Sequence, residues 1–446
     1  MCGIAGFVTK SETSDAAGAI QRMTDAIRHR GPDGEGQLVW GNCALGHRRL
    51  AIIDLTDAGL QPMSYKDGRY ALTFNGEIYN YLELRAELQE HGYRFASETD
   101  SEVILAAYDF WGKDCLERFN GMWAFAILDR ERHELFCARD RFGIKPFYYV
   151  DNQRAFAFAS EIKALFEWMP ERVANREVMV RFLSVSVPDV GDDTFFAGVK
   201  RLGAGCRMLL DVRTGAATIE RYYHLKPADT RGASTAELIG RFRETFDNSV
   251  RLRLRSDVQV GTCLSGGLDS SSIAATAALM NGMEQSGTGP SGNGRRFAAV
   301  TAQSMEKATD ETEFARAVVE SSNLEWYTVR PTAEDAQAMQ SDVLWHQEEP
   351  VESGSQVMQY AVMRLARQNN IPVLLDGQGA DETLLGYPWH HGASAAVAMQ
   401  RLNFVKAARA VLSARQQGSA RDVVQAAAYA LEQMTPRARA WRYGRR

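Results

Sequence analysis

Residues 258–271 read Val-Gln-Val-Gly-Thr-Cys-Leu-Ser-Gly-Gly-Leu-Asp-Ser-Ser. The apolar run 258–264 predicts a buried strand, and the helix that follows is predicted over 270–280. A strand that passes through a short Gly-Ser turn into a helix is the repeating unit of a parallel sheet with crossover helices. The same rhythm recurs downstream. Residues 297–302 predict a strand and 312–321 a helix, while the amphipathic pattern over 356–368 leads into 371–375, a compact apolar run suited to a central parallel strand. From about residue 234 onward the chain reads as α/β.

Working outward, the first half has a different texture. Short apolar runs at 70–74, 123–128 and 135–138 are separated by turn residues, which is strand patterning, and apolar residues three to four apart over 81–91 and 101–111 predict helices. Sheets with helices packed on them are expected here. A chain of 446 residues exceeds what one hydrophobic core usually serves. With residues 171–223 as a connecting segment, the expected domains are 1–220 and 221–446. Residues 281–296, rich in Gly, Ser and Asn, predict a surface loop. Gly287, Gly289 and Gly292 satisfy G-x-G-x-x-G there, but Pro290 and the low-complexity setting argue against a dinucleotide-binding turn.

Composition narrows the function classes. An apolar share of 45%, a charged share of 24% and a net charge of -5 describe an ordinary globular chain without the Lys and Arg excess of a nucleic-acid-binding surface. The six cysteines are scattered and contain no C-x-x-C pair, which disfavours disulfides and zinc and predicts a reducing, cytoplasmic setting. No apolar run reaches the length of a membrane span, and the start lacks a signal-peptide pattern. Neither nucleic acid nor membrane is an expected partner.

Cys2 follows the initiator methionine, so removal of Met1 would place a thiol and a free α-amine on one residue. An α-amine titrates at roughly 7.7 to 8.0 and can take the thiol proton without a histidine. On its own, a cysteine at position two carries little weight. Further segments change that: 1–7, Arg28-His29-Arg30-Gly31-Pro32-Asp33, HRRLAIID at 47–54, Asn75-Gly76-Glu77-Ile78-Tyr79-Asn80, Thr99-Asp100-Ser101-Glu102-Val103, ARDRFGIKPFYY at 138–149 and ASEIKAL at 159–165. Together and in this order they resemble the class II glutamine amidotransferase domain of glutamine-hydrolysing asparagine synthetases. The resemblance implies an N-terminal-nucleophile αββα sandwich of antiparallel sheets. It also implies Cys2 as nucleophile, Asn75 and the Gly76 amide as oxyanion donors, and a glutamine site formed by Arg49, Leu50, Ile52, Asn75, Gly76, Glu77 and Asp100. Opposite charges at Arg49 and at Glu77 and Asp100 suit a zwitterionic substrate.

In the second half, Ser265-Gly266-Gly267-Leu268-Asp269-Ser270-Ser271 lacks the G-K-[ST] of a Walker A loop. It has glycines that admit phosphate to the backbone and a helix start behind them. It resembles the pyrophosphate loop of ATP pyrophosphatases, and Leu374-Leu375-Asp376-Gly377-Gln378-Gly379-Ala380-Asp381-Glu382 with Gly386-Tyr387 resembles the second synthetase signature. The resemblance implies a Rossmann-like parallel-sheet ATP pyrophosphatase domain. ATP is expected at Leu264, Ser265, Gly266, Gly267, Leu268, Asp269, Ser270, Val300, Asp376 and Gly377, and Mg²⁺ at Asp269 and Asp381. Glu348-Glu349-Pro350 matches the D-E-P region of the family. Asp310 and Glu311 suit either nucleotide contacts or a solvated helix cap.

Two departures from the family pattern are visible. Gln378 stands where many members carry a glutamate thought to deprotonate ammonia, and glutamine cannot act as that base. The E-x-R-x-P-F-L-D segment is absent, and residues 391–446 form instead an Ala- and Arg-rich helical tail. The leading expectation is aspartate, ATP and glutamine converted to asparagine, AMP, pyrophosphate and glutamate, by a chain whose partners are small molecules and a second copy in a homodimer. Amidation of another carboxylate (a sugar acid, a peptide or an antibiotic precursor) stays open. So does a glutaminase or regulatory binding protein with an inactive synthetase half.

Overall fold

The computed structural model describes residues 1–10, 15–185, 191–285, 296–351 and 353–417. The glycine pattern at 287–292 and the tail beyond 417 lie outside them. Strands of the N-terminal part are β1 (Gly3–Thr9), β2 (Gly34–Trp40), β3 (Cys43–Arg49), β4 (Met63–Tyr65), β5 (Tyr70–Ile78) and β6 (Gly121–Asp129). They continue with β7 (Glu134–Arg139), β8 (Tyr148–Asp151), β9 (Ala155–Ala159), β10 (Val199–Arg201), β11 (Cys206–Asp211) and β12 (Ala217–Arg221). Two six-stranded sheets result, in the orders β10-β8-β9-β1-β3-β2 and β12-β11-β7-β6-β5-β4. All neighbours in both sheets run antiparallel.

Strand β6 shows why the apolar runs are continuous rather than alternating. Ala124, Ala126 and Leu128 join Ile4 and Val8 of β1 in the layer shared by the two sheets. Trp123, Phe125 and Ile127 face the other way, onto Leu84 and Leu88 of α2 (Tyr81–Glu90) and Ile104 of α3 (Asp100–Trp111). On the opposite outer face, Ala5 and Phe7 pack with Ile20 and Met23 of α1 (Ala16–Ala26). Both faces of each sheet are therefore covered, and with a side-chain period of two the run 123–128 of β6 is apolar at every position. This is the expected αββα sandwich. Two short helices complete the part, α4 (Cys115–Arg118) and α5 (Arg176–Val185).

The long helix α6 (Thr235–Arg253) opens on a capping box in which Ser234 and Glu237 satisfy each other's backbone N–H. It leads into the parallel sheet, whose elements are β13 (Val260–Cys263), α7 (Leu268–Gln285), β14 (Ala298–Ala302), α8 (Thr312–Ser321), β15 (Glu325–Val329), α9 (Ala333–Gln347), α10 (Gly354–Gln368) and β16 (Val373–Leu375). The order β15-β14-β13-β16, parallel throughout, bears out the α/β reading. One expectation is corrected. The run 371–375 is an edge strand among the described residues, not a central one, because β16 is three residues long and pairs only with β13 before the chain turns at Asp376. Helices α11 (Ala380–Leu384), α12 (Pro388–Gln400) and α13 (Phe404–Gln417) follow.

The chain divides into two compact units. The first holds residues 1–266 and 274–375, and thus both the sandwich and the parallel sheet; the second holds 267–273 and the described residues from 376 on. Inside the first unit Arg255 donates to Tyr79 O and pairs with Glu83, and the Asp257 N–H donates to Ile52 O at 2.9 Å. No described helix is long and apolar enough to cross a membrane.

Candidate functional site

Cys2 directly precedes β1 and lies in the first unit, at a cavity of about 1180 Å³ that Arg49, Leu50, Ile52, Asn75, Gly76, Glu77 and Asp100 also line. All eight residues expected at the glutamine site therefore meet in one place. The Leu50 N–H donates to the Cys2 sulfur at 3.4 Å. Burial nonetheless raises the thiol above its ordinary range. Such a thiol is protonated near neutral pH and needs a base to become a nucleophile.

Strand β5 supplies the opposing wall. Its register places Asn75 against Ala124, Gly76 against Trp123 and Glu77 against Met122 of β6. β4 pairs only with residues 70–72, so beyond them the outer edge of β5 is open to other partners. On that edge the Phe74 N–H donates to Gln61 Oε1 at 2.7 Å and the Ile78 N–H to Asp100 Oδ2 at 2.9 Å. Backbone donors on one edge of a strand recur every second residue, so the Gly76 N–H points the same way, between these two. A side chain at position 76 would run into Met122 O and the Trp123 backbone, which restricts this position to glycine. Beside it the Asn75 side chain is 1% exposed, and its Nδ2 has no hydrogen-bond partner. A buried amide donor left without an acceptor is costly, of order 1–3 kcal/mol. The Asn75 amide lies beside the Gly76 N–H on the wall of the same cavity as Cys2.

Arg49, at the end of β3, is spoken for in part. Its guanidinium donates to Thr56 O at 2.6 Å and to Asp54 O, and so braces the loop that carries Leu50 and Ile52. Glu77 and Asp100 are both buried acids. Burial and the neighbouring Asp100 push the Glu77 carboxyl up, and burial raises Asp100 to about 6 despite the Ile78 hydrogen bond. Lys145 is fully enclosed, and burial lowers its ammonium although Glu77 opposes this. The residue was not singled out from sequence, although the quoted segment 138–149 contains it. Burial also lowers the amine at the chain start to about 5, with Arg30 and Lys145 adding to the effect.

The residues expected to bind nucleotide are distributed over the two units. In the first, the Leu264 N–H donates to Val300 O at 3.0 Å, and Thr301 Oγ1 donates to Leu264 O at 2.7 Å. Gly266 has φ +99°, and a Cβ there would lie 2.7 Å from Glu311 O, so glycine is required. In the second, a Cβ on Gly377 would approach Ser270 N to 3.1 Å, and burial together with the charge of Asp381 raises Asp269. These two carboxylates are hard oxygen donors in reach of one another's charge, which fits Mg²⁺ held by one or two carboxylates. Gly386 is required beside Asp381, whose side chain fills the space of a Cβ. The Gln378 N–H donates to Asp376 Oδ1 at 3.1 Å in a local turn. Asp310 caps its own turn, accepting the Thr312 N–H and hydroxyl.

Comparisons with known proteins match two families in succession along the chain, with the change falling inside the first compact unit. The family described as "Glutamine amidotransferase domain" matches residues 1–223, and "Asparagine synthase" matches residues 241–444. "Asparagine synthetase [glutamine-hydrolyzing] 1" of Bacillus subtilis is 33% identical over 87% of this chain and 59% of its own length. "Putative asparagine synthetase [glutamine-hydrolyzing] 2" of Methanocaldococcus jannaschii is 32% identical over 87% of this chain and 76% of its own. "Amidase chry2" of Gibberella zeae is 31% identical over 87% and 59%.

The raised Asp100 carboxyl sets a pH signature. An acid whose folded pKa lies above its ordinary value binds an extra proton in the folded state, so folding weakens as pH rises from about 3.8 to about 6. In chemical denaturation the stability of Asp100→Asn relative to the parent should climb across that window and then level off. A difference that stays flat would contradict the assignment.

Proposed function

We propose, from the premise that the chain belongs to the glutamine-hydrolysing asparagine synthetase family, that it hydrolyses glutamine at Cys2 and passes the ammonia to an acyl-adenylate formed from a carboxylate and ATP. One observation carries the first step. The orphaned Asn75 Nδ2 and the outward Gly76 N–H line the same cavity as the Cys2 sulfur.

In this reading Met1 is removed and the Cys2 α-amine becomes the proton acceptor that the raised thiol requires. Burial that lowers the Met1 amine at this point of the chain supports the Cys2 amine being neutral, and so free to accept a proton, at pH 7. Sulfur attacks the side-chain amide carbon of glutamine while the amine takes the thiol proton. The oxyanion sits on Asn75 Nδ2 and Gly76 N–H. Collapse expels ammonia, which receives the proton from the amine, and leaves a thioester; water then hydrolyses the thioester to glutamate. Arg49 faces the α-carboxylate, and Glu77 and Asp100 the α-amine. Lys145 compensates these two acids in an enclosed pocket, where an unpaired charge would be costly.

The second step rests on the sequence of the loop 264–270 and on Val300, Asp376 and Gly377, which this reading assigns to ATP. Asp269 and Asp381 would hold Mg²⁺, which when bound neutralises charge on the departing pyrophosphate. The carboxylate attacks the α-phosphorus of ATP and pyrophosphate leaves; ammonia then displaces AMP from the acyl carbon, giving the amide. The names of two relatives favour aspartate as acceptor. Gln378, with no carboxylate to act as base, favours a different carboxylate, and the relative named an amidase fits that second reading. The chain spans 59% of the length of the Bacillus subtilis relative.

Cys2→Ala is expected to abolish amide formation from glutamine and to leave formation from free ammonium salts within about twofold, because the hydrolysis chemistry needs the thiol while the adenylate does not. Equal loss from both nitrogen sources would contradict separate ammonia-producing and ammonia-using steps. The acceptor is read by ATP–pyrophosphate exchange over a panel of carboxylates. Aspartate should stimulate exchange most strongly, and exchange indifferent to aspartate but responsive to another acid would transfer the assignment to that acid.

A further inference from the structure

Glu348 ends α9 with φ +63°, a left-handed conformation that L side chains rarely adopt. Glycine or asparagine would satisfy that backbone more easily, so the retention of glutamate directs attention to its side chain. That side chain is 7% exposed. It accepts the backbone N–H groups of Ile162 and Lys163, both at 2.6 Å, and pairs with Lys163 Nζ at 3.2 Å. The chain of contacts does not stop there. Lys163 Nζ also pairs with Glu161 Oε2, while Glu161 Oε1 receives Arg30 Nη1 at 2.8 Å and His29 Nε2 at 3.0 Å. Arg30 Nε in turn donates to the backbone carbonyl of Cys2 at 2.9 Å.

Four charged side chains, none more than 12% exposed, thus run from the end of α9 to the nucleophile. Their formal charges cancel, with Arg30 and Lys163 against Glu161 and Glu348. Removing the charge of Glu348 would leave Lys163 with Glu161 as its one carboxylate partner, in direct competition with Arg30. Arg30 has little in reserve, since its Nη2 is buried without a partner beside a second cavity of about 370 Å³. The neighbouring Glu349 offers a contrast. It accepts the Phe195 N–H at 3.1 Å and pairs with Arg201 at 3.1 Å, on residues outside the Arg30, Glu161 and Lys163 line.

We propose that Glu348 is a positioning residue for glutamine hydrolysis, fixing the Cys2 carbonyl through Lys163, Glu161 and Arg30 and so holding the nucleophile aimed at the Asn75 and Gly76 donors. This rests on Cys2 being the nucleophile. It makes the parallel-sheet part of the chain a determinant of the rate at which the sandwich part releases ammonia.

The test is steady-state glutamate release from glutamine, without ATP, by the full-length parent and by Glu348→Gln, Lys163→Met and Glu349→Gln. Glu348→Gln and Lys163→Met should each lower kcat about tenfold with KM for glutamine held within about twofold, a smaller loss than the roughly 100-fold that a 1 Å misplacement can cost. Glu349→Gln, which removes a comparable ion pair, should stay within about twofold of the parent in both constants. Parent-like kcat in Glu348→Gln, or equal losses in Glu348→Gln and Glu349→Gln, would overturn the proposal. If circular dichroism shows Glu348→Gln unfolded, Lys163→Met decides alone by the same criterion. A parent enzyme that releases no glutamate would remove the nucleophile reading and this inference with it; an active parent with an indifferent Glu348→Gln would remove only the inference.

Discussion

The outer edge of strand β5 is the constraint on which the proposed glutamine site depends. A strand presents a backbone N–H on that edge every second residue, and each must find an acceptor or be exposed to water. Here the side chains of Gln61 and Asp100 take the donors on either side, from Phe74 and Ile78. Gly76 is thus held between two fixed points on a strand whose inner edge is locked to β6. The donor is preorganised by the sheet rather than by a loop, and Asn75, on the same strand, brings a second donor without needing any movement. Rigid placement of donors before charge develops is what gives oxyanion stabilisation its large effect on rate.

Around that strand the electrostatics are arranged to cancel. Glu77 and Asp100 are buried acids pushed upward, Lys145 is a buried ammonium pushed downward, and the amine at the chain start is lowered too. These four groups are all shifted toward their neutral forms. A zwitterionic ligand, with one charge of each sign, would restore charged forms on both sides of such a pocket, which is a physical basis for selectivity toward an amino acid over a plain amide. Nearby, Glu161 shows the opposite behaviour: although burial pushes its carboxyl up, His29, Arg30 and Lys163 hold it at about 2. It remains an anion and therefore an anchor.

Much of the fold was legible because both sheets of the sandwich are covered on both faces. Short uninterrupted apolar runs bounded by turn residues, such as 123–128, then read as strands, and the strand-to-helix rhythm after residue 258 points to parallel pairing. The rank of β16 was not legible, since an apolar run has the same composition at a sheet edge as at its centre when a helix lies over it. At the site, Cys2, Asn75, Gly76 and Asp100 were legible through the resemblance carried by the segments that contain them. Lys145 and Gln61 were not, and Glu348 was visible only as part of the D-E-P match. Their contacts reach across the sequence, 186 positions for Glu348 and Ile162, and leave no local pattern. Asp310, left open between a ligand contact and a cap, accepts the Thr312 N–H and hydroxyl in a local turn.

The central claim, that Asn75 Nδ2 is kept empty for an oxyanion opposite Cys2, is tested most directly by measuring kcat and KM for glutamine hydrolysis in Asn75→Ala. Loss of one such donor should lower kcat by about 100-fold to 1000-fold while changing KM little, because the donor engages an oxygen whose charge appears only in the transition state. A variant that hydrolyses glutamine with kcat within about twofold of the parent, in the same folded state, would contradict the account.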